Sequence, residues 1–325
     1  MTLDEVLKSE RSLNLNALRL LLAGAVIISH AWPLALGPSA SEPLEQATGR
    51  SLGGWAVGAF FFISGMLITA SAERKAALPF CVARFRRIVP GLGAALLVTL
   101  ALALACGANA SVPDYAFWFV RSLTLVSIEH RIAGAFADNP IPLVVNGPLW
   151  SLFHEVVAYV ICAAFVWLGG ARSWPALLAL VMLALALCVF HYSLSGRLAT
   201  FAPLFLAFVL GMVAYLLRRF IDLTLSLGAG TMLLAAILPW WLGLGFAGFA
   251  LVVLALCAPS FHLRDDLSYG MYIYGWPVAQ TLVALSPGLG PSVLAIWSLL
   301  LTVPFAMASW WLVERPALRF RRAAV

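Results

Sequence analysis

Of the 325 residues, 63% are hydrophobic and 10% are charged, against roughly 45–50% and 25% in an ordinary soluble domain, and mean hydropathy is +0.98. Water is thereby excluded as the main solvent for the surface, and so is a large soluble domain. The net charge of +6 comes from Lys and Arg in short clusters between apolar runs, which argues against a nucleic-acid-binding face and reports membrane topology instead.

Apolar runs of about 20 residues, enough to cross a bilayer as a helix, recur along the whole chain. They predict an all-α polytopic membrane protein with about ten transmembrane helices in a single membrane domain, 1–325. The first run, Leu15 to Leu36, lacks a convincing cleavage site and is expected to be retained as the first span, 15–36. Arg19 and His30 lie eleven residues apart on it, which at 100° per residue leaves them ~20° from eclipsed and ~16 Å apart along the axis. Ionisable groups inside a span are functional hypotheses by default. For His30 the plainer alternative is a core imidazole bonded to a carbonyl.

The second predicted span, 52–71, carries Ser64 followed by a glycine, a pair that serves either hydrogen bonding or close helix packing. At the mouth of the third span, 88–107, stands Arg84-Phe-Arg-Arg-Ile-Val-Pro90. Arg84 and Arg87 are spaced i, i+3, so both forks can address one phosphate. Basic inner loops also occur for topology alone and bind anionic headgroups. The polar connection 108–147 has an apolar middle, Tyr115 to Ile128, with Arg121 at its centre. An interfacial or re-entrant helix is expected there.

The fourth span, 148–168, opens Pro148-Leu-Trp-Ser-Leu-Phe-His-Glu155. Glu155 falls ~10 Å inside the outer boundary at 1.5 Å per residue, a depth similar to that of His30. If the two meet, the carboxylate would favour the charged imidazole and fix its tautomer. The alternatives are an arginine partner or helix-end amides. His154 points about 100° away and reads as structural. Spans follow at 175–193, 198–217, 223–241, 243–260, 267–287 and 291–313. Asp265 and Asp266 read as helix-start charge, and His191 and His262 lie at helix ends. The five cysteines are scattered singly and read as small core hydrophobes. His30, His130, His154, His191 and His262 show no ligand spacing, so no metal is expected.

Ten spans place both termini on one side. With them inside, fifteen of the 20 Lys and Arg fall in inner segments and four, Arg50, Arg121, Arg131 and Arg197, in outer ones. That bias predicts cytoplasmic termini.

Together these residues resemble the integral-membrane acyltransferase family 3, which includes O-acetyltransferases of lipopolysaccharide, capsule and Nod-factor sugars. The resemblance runs from about Leu15 to Pro316. It rests on Arg19-x10-His30, the Phe-rich turn Phe60 to Ile68, Arg84-x-x-Arg87 before Pro90, and Leu149 to Glu155. Ser268-Tyr269-x-x-Tyr272 and Glu314 to Pro316 complete it. Many members place a histidine where this sequence has Gly275, so a role for that histidine does not carry over. No fused soluble domain is expected.

The resemblance implies a membrane O-acyltransferase moving an acyl group, most often acetyl, from acyl-CoA to a hydroxyl of a cell-surface or secreted polysaccharide or glycolipid, such as lipopolysaccharide. His30 and Glu155 would be catalytic, with His30 acting as general base or carrying the acyl group covalently. Arg84, Arg87, Arg19 and Ser64 would hold acetyl-CoA, and Trp150, Tyr269, Tyr272 and Glu314 would bind substrate or support the site. The implied location is the inner or plasma membrane, multi-pass, with acyl-CoA, the carbohydrate acceptor and membrane lipids as partners. A proton-coupled transporter or flippase is the rival, since buried His, Glu and Arg also suit a carrier.

Overall fold

The computed structural model describes residues 1–126, 128–261 and 263–319. His262, Arg321 and Arg322 lie outside the described residues. Among the described residues there are helices and no strands. In chain order the helices are α1 Leu3–Lys8, α2 Asn14–Leu36, α3 Pro43–Thr48, α4 Leu52–Arg74, α5 Ala77–Ala105, α6 Val112–Leu123 and α7 Trp150–Trp167. They continue as α8 Trp174–Val189, α9 Gly196–Leu216, α10 Leu225–Ile237, α11 Trp240–Cys257, α12 Ser268–Leu285, α13 Pro291–Ser309 and α14 Arg315–Arg319.

A helix stands at each of the ten predicted positions. Seven helical stretches among the described residues are long and apolar enough to cross a membrane. The apolar helices α8 and α10 have 16 and 13 residues, so at 1.5 Å per residue the longer covers ~24 Å of a ~30 Å hydrocarbon core. The third helix differs from its expected bounds. It begins at Ala77 and runs through Pro90, so the basic stretch Arg84 to Arg87 lies within a continuous helix rather than at its mouth. In the 108–147 connection, α6 occupies 112–123, opened by a Ser111–Asp114 capping box.

The chain forms two compact units. The first comprises Met1–Arg19, Gly54–Phe80 and His154–Arg264; the second comprises Leu20–Gly53, Cys81–Phe153 and the residues from Asp265 onward.

In the first unit α4, α9 and α11 meet through small residues. A Cβ on Gly65 would collide with the Phe208 carbonyl, and one on Gly211 with the Phe62 carbonyl, so the α4 and α9 backbones touch reciprocally. Gly248 of α11 admits the Phe62 side chain, whose Cβ would lie 2.7 Å from an added methyl. Lipid offers no hydrophobic drive between helices, so such close backbone approach supplies the dispersion contacts that hold them. Asn14 donates to the carbonyls of Ala255 (2.8 Å) and Pro259 (3.1 Å), satisfying acceptors that the end of α11 leaves open. Asp4 of α1 pairs with Lys8 at 2.6 Å and Arg218 at 2.8 Å. The Lys8 hydrogen bond above all, with Arg218 adding and burial opposing, holds the Asp4 carboxyl below its ordinary value.

In the second unit Ala31 and Leu34 of α2, Trp276, Ala279 and Val283 of α12, and Leu294 and Ala295 of α13 form one buried cluster. The segment from Glu129 to Pro148 is stitched to α12. Trp276 Nε1 donates to Val144 O (3.0 Å), Gln280 Nε2 to Ile141 O (2.8 Å), and Asn146 Nδ2 to Ile273 O (2.9 Å). Asn139 Nδ2 donates to Gln280 Oε1 at 2.7 Å. Such bonds satisfy backbone groups that a loop would otherwise leave open. Phe136 and Leu143 of this segment stand at φ 51° and 65°, a region that non-glycine residues seldom occupy, and their amides donate to Cys106 O and Ala135 O, both at 3.0 Å.

Candidate active site

His30 lies six residues before the end of α2, in the second unit. Its ring is half-buried and meets Trp276 edge-on, with centroids 5.1 Å apart and planes at 77°. Trp276 is itself fixed by its bond to Val144 O, so the loop segment orients the ring that orients His30. The imidazole forms no hydrogen bond among the described residues. The expectation of a core histidine bonded to a carbonyl is therefore not what the structure holds, and both ring nitrogens keep their donor and acceptor capacity. One residue before Trp276, Gly275 faces Ile27 of α2, whose Cγ1 would lie 2.5 Å from an added Cβ. No side chain fits there unless Ile27 moves, which accounts sterically for glycine at this position.

Glu155 and Ser64 belong to the first unit. Ser64 Oγ donates to Glu155 Oε1 at 2.9 Å, and Tyr159 OH donates to the same oxygen. Neither an arginine nor helix-end amides hold this half-buried carboxylate; two neutral hydroxyls do. The arrangement settles one oxygen and leaves Oε2 with no bond among the described residues. Tyr159 was not singled out in the sequence, although its i+4 spacing from Glu155 places both on one helix face. His154 turns away as expected: its Nε2 lies 3.0 Å from Arg197 O and 3.1 Å from Thr200 Oγ1, and its ring stacks on Phe201. Arg19 is half-buried in the first unit.

The remaining residues belong to the second unit, where Arg87, Tyr269 and Glu314 converge. Arg87 Nη2 binds Asp266 Oδ2 at 2.6 Å and Nη1 binds Glu314 Oε2 at 3.4 Å, with the guanidinium 5.5 Å from the Tyr269 ring centroid. Glu314 is 2% exposed and also accepts from Ser309 Oγ at 2.8 Å. A π-helical turn, Trp310–Glu314, carries it; such turns recur at functional sites. Tyr269 OH donates to Ile88 O at 2.9 Å, and Gly91 leaves room for the Tyr269 ring. Asp266 does accept from Ser268 at the start of α12, as helix-start charge should, but its ion pair with Arg87 went unread. That pairing spans 179 residues, and no local pattern announces it.

Arg84 is half-buried on α5, three residues before Arg87 and on the same helix face. Tyr272 OH donates to Pro148 O at 3.0 Å and lies 2.6 Å from Ser151 Oγ, tying α12 to the turn that opens α7. Trp150, the first residue of α7, is 39% exposed.

Residues 12–315 match the family model described as an acyltransferase domain. Nodulation protein 10 of Rhizobium leguminosarum bv. viciae is 29% identical over 366 aligned residues, covering 96% of this chain and 95% of that protein. An O-acetyl transferase of Shigella phage Sf6 is 27% identical over 318, covering 91% and 93%. No solved structure matches the chain.

Proposed function

This chain belongs to acyltransferase family 3 and is a multi-pass membrane acyltransferase; from that premise we propose that it moves an acetyl group from acetyl-CoA to a hydroxyl of a cell-surface or secreted carbohydrate or glycolipid. The observation that carries this reading is His30: an imidazole held by Trp276 with no hydrogen bond to protein among the described residues, which leaves its nitrogens open to act as a base. The relative named as an O-acetyl transferase supports oxygen as the acceptor atom and acetyl as the group. The carrier reading has no comparable support.

In the reaction, His30 takes the proton of the acceptor hydroxyl as its oxygen attacks the thioester carbonyl. A new C–O bond forms, the C–S bond breaks, and CoA leaves as the thiol after regaining a proton from the imidazolium. Glu155 of the first unit, with Oε2 uncommitted among the described residues, is proposed as a further catalytic group; Ser64 and Tyr159 hold it in place. Arg87 already serves two carboxylates, so contact with the CoA phosphates is assigned to Arg84, with Arg87 positioning that stretch of α5. Arg19 is assigned to the donor side, and Trp150 to the acceptor. We read the ten helices as ten spans, with cytoplasmic termini and the plasma or inner membrane as the location; the Lys and Arg bias supports this.

The test is transfer of radiolabelled acetyl from acetyl-CoA to glycolipid extracted from the native membrane, using protein in nanodiscs. His30→Ala is expected to lower the rate by about 10²–10⁴-fold, the usual worth of a positioned base, with acetyl-CoA binding retained. Wild-type turnover in His30→Ala would overturn the assignment. An acetylated His30→Ala protein would move the attack elsewhere in the chain.

A further inference from the structure

A cavity of about 920 Å³ opens within the first unit, walled by α1, the start of α2, and the last turns of α4, α7 and α9. Small-molecule sites run to roughly 300–1,000 Å³, so this is large enough for a nucleotide or a lipid headgroup with part of its tail. Its composition is graded. Buried Met66 and half-buried Leu13 and Val166 give it an apolar floor, while exposed Lys8, Arg74 and Arg172, with half-buried Arg218, stand at its solvent side against Asp4 and Glu73.

The rim cations differ in how far they are committed. Arg218 binds Asp4 at 2.8 Å and lies over the Tyr215 ring at 4.0 Å, and Lys8 binds Asp4 at 2.6 Å. These pairs pin α1 as a wall. Arg74 donates only its Nε, to Ala70 O at 2.9 Å, so both terminal amines are unused among the described residues. The exposed Arg172 side chain forms no hydrogen bond or ion pair among the described residues. Trp167 adds a rigid aromatic wall. Its Nε1 is satisfied by the carbonyls of Ala72 and Lys75, both at 3.2 Å, its ring stands against Phe80, and it remains 41% exposed.

An apolar floor, a fixed indole wall and two arginine forks open at the rim fit an amphiphile with a phosphate ester at one end. We propose that this cavity is a phosphate-binding site of the first unit, in which Arg74 and Arg172 grip the phosphate of such a ligand. Two sources share that chemistry: the nucleotide end of a soluble cofactor and the headgroup of an anionic phospholipid. The site is lined by first-unit residues alone; its lipid arm does not depend on the acyl-transfer reading, whereas its nucleotide arm rests on it and would move the CoA phosphates from Arg84 to Arg74 and Arg172.

The experiment uses full-length protein in nanodiscs, with adenosine 3′,5′-bisphosphate as one probe and phosphatidylglycerol as the other. Bisphosphate affinity is measured by calorimetry in phosphatidylcholine discs, and thermal stability is compared between phosphatidylcholine discs and discs with added phosphatidylglycerol. The expected result is that Arg74→Gln/Arg172→Gln lowers bisphosphate affinity at least tenfold, or abolishes the rise in Tm that phosphatidylglycerol confers. The first outcome identifies the nucleotide source and the second the lipid source. Arg131→Gln, a charge removed from the second unit, is expected to change neither. If the double variant keeps its fold by circular dichroism and both responses match wild type, or if wild type shows neither response, the proposal is overturned.

Discussion

Two half-hidden groups of carboxylates show how differently this membrane protein treats charge. In the second unit Asp266 and Glu314 share one guanidinium, Arg87, and Glu314 gains a serine hydroxyl as well. In the first unit Glu155 has no cation bonded to it, only the hydroxyls of Ser64 and Tyr159 on one of its oxygens. Buried charge is costly unless paired. The compensated cluster therefore reads as architecture that fixes the middle of α5 to the start of α12 and the π-helical turn, and the under-compensated carboxylate fits the chemical role proposed for it.

The sharpest way to break this contrast is Arg87→Leu, which leaves two low-exposure carboxylates without their cation. Loss of one partner of a buried ion pair costs about 3–5 kcal/mol, so a large drop in Tm is expected in a thermal-shift assay, and Asp266→Asn/Glu314→Gln added to it should recover most of the loss. An Arg87→Leu protein as stable as wild type would remove the architectural reading. Glu155→Gln should do the reverse. Its amide keeps an acceptor for both hydroxyls, so stability is expected to stay within about 1 kcal/mol of wild type, while acetyl transfer falls by roughly 10²-fold. Equal losses of stability in both variants, with turnover per folded molecule unchanged, would erase the distinction.

Tyr159→Phe sharpens the comparison from the other side. Removing one hydroxyl from Glu155 loosens the carboxylate without removing it, and a loss of about tenfold in kcat with little change in KM for acetyl-CoA is expected, about 1.4 kcal/mol. A change confined to Tm would make Tyr159 a packing residue. The smallest effect belongs to Asp4, a surface carboxylate of the first unit. Its folded pKa lies below the ordinary 3.8, so its ion pairs add stability that is present above that value and lost as pH falls through the folded pKa. Wild-type and Asp4→Asn melting curves should differ slightly at neutral pH and converge below about pH 3.8, and a gap that widens in acid would contradict the sign.

The candidate site residues could be named in advance because motif spacing and membrane depth are local properties; their roles are proposals. Arg19 and His30 share a face by helical period alone, Glu155 stood out as a carboxylate within an apolar run, and Tyr269 and Glu314 were named only through the family resemblance. What stayed hidden were the partners. Tyr159 is an ordinary aromatic until Glu155 is seen to bind it, and Trp276 is a core residue until it is seen bridging His30 and the loop carbonyl of Val144.

By itself the chain's pattern of apolar residues determined that the protein is helical, marked ten positions at which an apolar helix stands, and showed which side chains are out of place in lipid. Hydropathy and 3.6-residue periodicity act through neighbours within a turn or two and through the solvent, so they can be read without knowing the fold. Only tertiary structure decided that Arg87 answers to Asp266 and Glu314 across 179 and 227 residues. The same is true of the 129–148 segment, which is a strained, hydrogen-bonded brace on α12, and of α4 and α9, which touch backbone to backbone at Gly65 and Gly211. Such pairings depend on which helix faces are brought together, and that choice is made by packing among distant segments that carry no mark of one another in the linear chain.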